Sequence, residues 1–192
     1  MNGNTTILII IGIICFILMI SVSIFFIMSK TKTDDLHIPT AKNINEALKM
    51  EQNDAVIAIS QILWNKVEAR SFNSLTDAEK NFFAVDYLIS EVNNGGFDQY
   101  FFNSSGEYAN EALLGLKKIG AIKTASILQN SFSIFPDHKV PKNRQERWNL
   151  MEKDKAKKQK VLDDLDNKFY EYPEDLTDLL FKYAKKNKNE FK

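Results

Sequence analysis

Cysteine is almost missing. The 192 residues hold one, Cys15, which excludes an intrachain disulfide framework and a cysteine-based zinc site. Histidine is nearly as scarce: His37 and His138 lie too far apart for metal-ligand spacing. Net charge is lacking too, because 25 Lys and Arg balance 25 Asp and Glu, so no overall field draws the chain to nucleic acid. No charged side chain occurs before Lys30, and beyond residue 43 no strand-like alternation is sustained. Neither a cofactor nor a metal is implied by any of this.

What the uncharged start contains is one long apolar run. Ile7–Met28 reads ILIIIGIICFILMISVSIFFIM. As a helix it would extend roughly 33 Å, slightly more than a hydrocarbon core. Its Ile, Leu, Phe and Val residues would favour insertion by roughly 5–10 kcal/mol. A cleaved signal peptide fits less well: MNGNTT has no basic residue, the run is too long, and no small-residue cleavage site follows. The segment is therefore expected to be a single transmembrane helix. Lys30 and Lys32 follow it and nothing basic precedes it, so the positive-inside rule places the C-terminal domain at the cytoplasmic side of the cell membrane. The expected organisation is a short tail (1–6), the transmembrane helix (7–28), a tether (29–43) and one domain (44–192).

That domain reads as all-α, a compact multi-helix unit of six or seven helices. A first helix is expected over Ile44–Ala69, with Ala55, Val56, Ile59, Ile62, Leu63 and Val67 on one stripe. A second opens at the capping box Thr76-x-x-Glu79 and buries Phe82, Val85, Ile89 and Val92. Asn93-Asn94-Gly95-Gly96 should end it, and Phe97–Phe102 should form one short helical turn. Ser104-x-x-Glu107 reads as another capping box, opening a helix that Gly120 stops. Ile122, Ala125, Leu128 and Phe132 define the next, and FPDHKVP breaks the chain. Asn143-x-x-Glu146 opens a longer helix with Trp148, Met151, Leu162, Leu165 and Phe169 on its inner face; its charged middle, EKDKAKKQK, should project into solvent. Tyr172-Pro173 starts the last helix, and the basic tail from Lys185 should fray.

The densest chemistry is EVNNGGFDQYFFNSSGE, Glu91–Glu107. Asp86, just before it, borders an apolar face and needs partners, since a buried unpaired charge is costly. Asn93, Asn94, Gln99, Asn103 and Ser104 are the nearest candidates in sequence. Two readings stand. In one, these side chains cap helix ends and satisfy Asp86 internally. In the other, amides beside Phe97, Tyr100, Phe101 and Phe102 form a recognition surface or pocket. No catalytic constellation is recognisable, because Ser104 and Ser105 have no histidine near them in sequence and the acids are scattered.

The segment Leu75–Leu128, LTDAEKNFFAVDYLISEVNNGGFDQYFFNSSGEYANEALLGLKKIGAIKTASIL, resembles the bacterial DNA-mimic protein 19 family. FPDHKVPKNRQER and LDDLDNKFYEYPEDLTDLL follow in the same order, so the resemblance covers roughly Ser74–Tyr183. It implies an all-α fold and a dimer whose acidic face imitates duplex phosphates and occupies a transcription factor's DNA-binding surface. The motif positions carried over are Asp86, Glu91, Asn93, Asn94, Gly95, Gly96, Phe97, Gln99, Tyr100, Asn103, Ser104, Ser105 and Gly106. A DNA mimic needs a dense negative surface. Here Ile44–His138 holds seven basic residues against twelve acidic ones, and Lys139–Lys192 fifteen against eleven.

The expected function is therefore a membrane-anchored, non-catalytic protein-interaction domain that binds a partner, such as a regulatory protein, through Asp86 and Asn93–Ser105. A small-ligand or hydrolytic pocket at the same motif is one alternative, and acidic DNA mimicry is another. A homodimer is compatible with the resemblance, and direct nucleic-acid binding is not expected.

Overall fold

The structure, a computed structural model, describes residues 38–192. The proposed transmembrane segment and most of the tether lie outside the described residues. Among those described, no helix is long and apolar enough to cross a membrane.

Eight α-helices and no strand make up the described domain: α1 (Ile44–Ala47), α2 (Gln52–Arg70), α3 (Asp77–Phe102), α4 (Ala109–Ile119), α5 (Ile122–Ser131), α6 (Arg144–Glu152), α7 (Lys155–Tyr170) and α8 (Leu176–Lys186). Short 3₁₀ turns link several of them. The all-α expectation holds, with two expected helices each divided in two. The first breaks after Ala47, where Lys49 and Met50 donate to carbonyls only three residues back, so α1 and α2 turn a corner. The longer C-terminal helix breaks at Lys153–Asp154, where Asp154 adopts a left-handed φ of 53°. That break falls inside the charged stretch expected in solvent, and Glu152–Lys157 is indeed exposed.

α3 is the central element, touching α2, α4, α6, α7 and α8. Its buried face carries Phe82, Val85, Leu88, Val92, Phe97 and Phe101, all fully enclosed. The Thr76 capping box forms as read: the Thr76 hydroxyl accepts from the Glu79 amide at 3.2 Å and the Glu79 carboxylate accepts from the Thr76 amide at 2.8 Å. Gly115 lets α4 lie close on α3, since a Cβ there would stand 2.7 Å from the Asn81 carbonyl oxygen.

Four expectations are corrected. Asn93–Gly96 does not separate two helices by a loop. It kinks one, with only Gly95 (φ −165°, ψ 28°) and Gly96 (φ 71°, ψ −174°) leaving helical geometry. Ser104 caps nothing: Ser104–Tyr108 is a 3₁₀ turn, and α4 begins without a side-chain cap. Trp148 is not part of the core but 43% exposed. The tail does not fray. Phe191 is buried edge-on against Phe82, and the Lys192 amide donates to Glu79 at 2.8 Å. The aromatic side chain outweighs the basic residues before it, because burying a phenyl ring is worth about 1.5–3 kcal/mol.

Candidate functional site

The kink decides where the motif's side chains go. At Gly96 the backbone takes a positive φ, and an added Cβ would collide with the Asp166 carboxylate of α7. Asp166 occupies that place because it accepts the Phe97 amide at 2.8 Å, one of the donors the kink frees. Burial pushes the Asp166 carboxyl up from its ordinary range, and the Phe97 amide offsets part of that rise.

Glu91 gathers the amides. Its Oε2 accepts from Gln99 Nε2 at 2.7 Å and from Asn103 Nδ2 at 2.9 Å, tying the two sides of the kink together. Ser105 is buried and its hydroxyl donates to the Tyr100 carbonyl at 2.8 Å. Ser104 Oγ lies 3.2 Å from the Tyr87 hydroxyl, and Asn93 Oδ1 accepts from Tyr172 at 3.2 Å. Asn94 is exposed and has no side-chain hydrogen bond among the described residues.

Behind the motif lies Arg147 of α6, whose relative exposure is 0%. Its guanidinium donates to four carbonyl oxygens at 2.7–2.9 Å: Phe101, Asn103, Pro141 and Lys142. Phe101 and Asn103 close the end of α3, where carbonyls have no helical partner, and a cation there also meets the negative end of the helix dipole. Gly106 makes room for this arrangement, since a Cβ there would stand 2.7 Å from Arg147 Nε.

Asp86 is not held by the motif. None of the motif amides hydrogen-bonds to it; its neighbour is Ser60 across the α2–α3 contact. Burial pushes its carboxyl up to about 6, and the Ser60 hydroxyl offsets part of that rise. Asp86 therefore stands apart from the motif it was grouped with.

So the structure joins Glu91, Gln99 and Asn103 in one cluster and sets Phe97 and Tyr100 in the core. It leaves Asn94 and Gly95 on the surface and separates Asp86. The pocket expected from Asp86, Gln99, Tyr100 and Asn103 is not formed by these contacts, because Gln99 and Asn103 turn to Glu91 and the Tyr100 ring is buried. The Tyr100 hydroxyl is itself without a hydrogen-bond partner, as is the buried Oε2 of Glu111. Burial and the Glu111 carboxylate both drive the Tyr100 pKa up, so it stays a neutral phenol. Among the described residues, no group of three or more His, Cys, Asp or Glu side chains is disposed to hold a metal.

Besides Asn93–Gly95, the motif presents a ring outward. Phe102, 40% exposed, meets Trp148 edge-on at 5.7 Å between centroids. Arg144 lies over the Phe102 ring at 5.2 Å and donates through Nε to the Phe102 carbonyl at 2.8 Å. A cleft of about 370 Å³ opens on one side of this pair, bounded by Asp98, Met151, Lys155 and Leu162. A second, of about 350 Å³, lies between the pair, Arg144 and Gln145. Sequence reasoning named Phe102 among excess aromatics but missed Arg144, Arg147, Trp148 and Asp166 as its companions. All but Trp148 lie in the two later runs that resemble the family, which was the one signal pointing to them.

The family model described as DMP19-like protein matches residues 73–187, more than half of the chain. No curated protein and no solved structure matches it.

Proposed function

The chain belongs to the DMP19-like protein family, and from that premise we propose that it is a non-catalytic protein-interaction domain held at the cytoplasmic face of a membrane by Ile7–Met28. The binding surface is the Phe102–Trp148 pair with Arg144, at the exposed end of the motif. Its carrying observation is the fate of the motif's groups. The Gln99 and Asn103 amides bond to Glu91 and Asn93 accepts from Tyr172, leaving Asn94 as the exposed amide, while the Phe102 phenyl and the Trp148 indole of α6 remain in solvent beside the Arg144 guanidinium. Aromatic residues and arginine are the types that dominate binding energy at interfaces. The hydroxyls of Ser104 and Ser105 are engaged with Tyr87 and the Tyr100 carbonyl, which supports a role without covalent chemistry. Lys155 and Lys158 border the same cleft as Asp98 and Glu152, and such mixed charge argues against imitation of DNA phosphates on this side.

The test is in-cell cross-linking and purification of the full chain from membranes. Replacing Phe102 and Trp148 together by Ala should cut recovery of the specific partner about tenfold or more. Leu114→Ala, which removes an exposed leucine elsewhere, should leave recovery unchanged. Equal recovery by all three forms would remove this surface from consideration.

A further inference from the structure

We infer that the Phe102–Trp148 ridge receives an acidic, extended segment of a partner protein, with one apolar side chain of that segment seated beside Trp148. The inference rests on the interaction reading above and names the chemistry of the partner.

The shape comes first. The ridge lines two clefts, of about 370 and 350 Å³. Ile134, Met151 and Leu162 give the larger one an apolar floor, and charged groups stand at its rim. An apolar floor under a charged rim suits one apolar side chain projecting from a polar main chain. Two clefts that share one pair of rings favour a chain that crosses the rings extended, placing successive side chains in different clefts.

Charge selects the sign. Arg144 and Lys158 have no carboxylate within ion-pair distance among the described residues. Lys158 Nζ donates to the Leu150 carbonyl, and Arg144 uses Nε on the Phe102 carbonyl, so both cations are oriented by main chain. Lys155 is paired, among the described residues, with Glu152, a contact between two exposed side chains that exchanges readily with a competing carboxylate. Around the two clefts Arg144, Lys155 and Lys158 stand against Asp98 and Glu152, so the cations are in excess by one. A planar guanidinium and nearby ammonium groups match carboxylates along an acidic chain. An anionic bilayer fits less well, because Trp148 flanks a concave notch that carries Asp98 and Glu152.

The test uses the full chain in non-ionic detergent with Trp64→Phe, which leaves Trp148 as the single indole reporter. Three synthetic decapeptides are titrated: one rich in Asp and Glu with a central Phe, the same with Lys for every acid, and the acidic one with Ala for Phe. The first should change Trp148 emission saturably. Either substitution in the peptide should weaken the dissociation constant about tenfold or more. Arg144→Gln should weaken the acidic peptide severalfold, and raising salt from low to molar concentration should do the same. Equal affinity for the acidic and basic peptides, or no saturable change with any, overturns the inference. If that happens while the Phe102/Trp148 double variant still loses its native partner, the interaction surface stands and only the acidic chemistry falls. A Trp148 response to phosphatidylserine vesicles with none to the acidic peptide also overturns it, assigning the ridge to a lipid surface.

Discussion

The guanidinium of Arg147 is enclosed by four carbonyl oxygens, and its Nε and Cζ lie against Gly106. Helical periodicity treats an arginine in a polar run such as NRQER as solvated, because pattern registers the charge and not the main chain waiting for it. Gly96 shows the same limit. Its role as a bend is legible from Asn-Asn-Gly-Gly, but the reason a side chain is forbidden there is Asp166, far along the chain. Asp86 was legible as a carboxylate at the edge of an apolar face, and its surroundings were not, since the neighbouring Ser60 belongs to another helix and gives its hydroxyl proton to the Val56 carbonyl. Burial raises the folded Asp86 carboxyl to about 6 from 3.8. A carboxyl whose folded pKa is raised binds its proton better when folded, so it contributes stability at low pH that is lost as pH climbs from about 4 through about 6. The difference corresponds to at most about 3 kcal/mol. Asp166 moves in the same direction and Glu174 in the opposite one, so the whole protein's pH profile does not isolate the effect. Subtraction does. Asp86→Asn should be more stable than the parent at pH 7.5 by about 1–3 kcal/mol and nearly equal to it at pH 4, measured as denaturant midpoints. A constant difference at both pH values would show that Asp86 ionises without penalty.

Elements were legible where a cap or a long apolar stripe marks them, and not where two helix ends compete for the same residues. Thr76-x-x-Glu79 and Ser104-x-x-Glu107 are identical as patterns. The first closes as a capping box because α2 supplies Lys66 to the Glu79 carboxylate at 2.7 Å. The second fails because Tyr100 and Arg147 draw Asn103–Gly106 into a 3₁₀ turn at the end of α3. The tail departs from its composition for a related reason: basic residues favour fraying, whereas one aromatic residue decides the outcome. Phe191 closes over Phe82, and beyond it the Lys192 amide and Lys66 Nζ converge on Glu79. Glu79 is wholly buried, so those donors offset the loss of water around its carboxylate. Phe191→Ala should destabilise the domain by about 2–4 kcal/mol in chemical denaturation, and should raise amide exchange at Lys188–Lys192 before it raises exchange in α4. Loss of stability below about 0.5 kcal/mol would mean the tail lies on the domain without holding it.

The domain as a whole closes over its own core at both limits of the described chain. Ile44 and Ala47 pack inward beside α2, and Phe191 seals the opposite end of the sequence against α3. The apolar run at Ile7–Met28 is marked in the sequence by length and absence of charge rather than by any amphipathic face. On the proposed anchoring the run answers to hydrocarbon and the domain to water, so the two should separate cleanly. Deleting residues 1–37 should leave the unfolding free energy of the remainder within about 0.5 kcal/mol of the intact chain in mild detergent. The intact chain should sediment with membranes and stay there through an alkaline carbonate wash, because apolar insertion, unlike a basic patch, is not released by high pH or salt. The shortened chain should appear in the supernatant. Release of the intact chain by carbonate would refute the anchor and leave the family domain untouched. A shortened chain that unfolds or aggregates would refute the boundary instead, showing that the first 37 residues support the helical core.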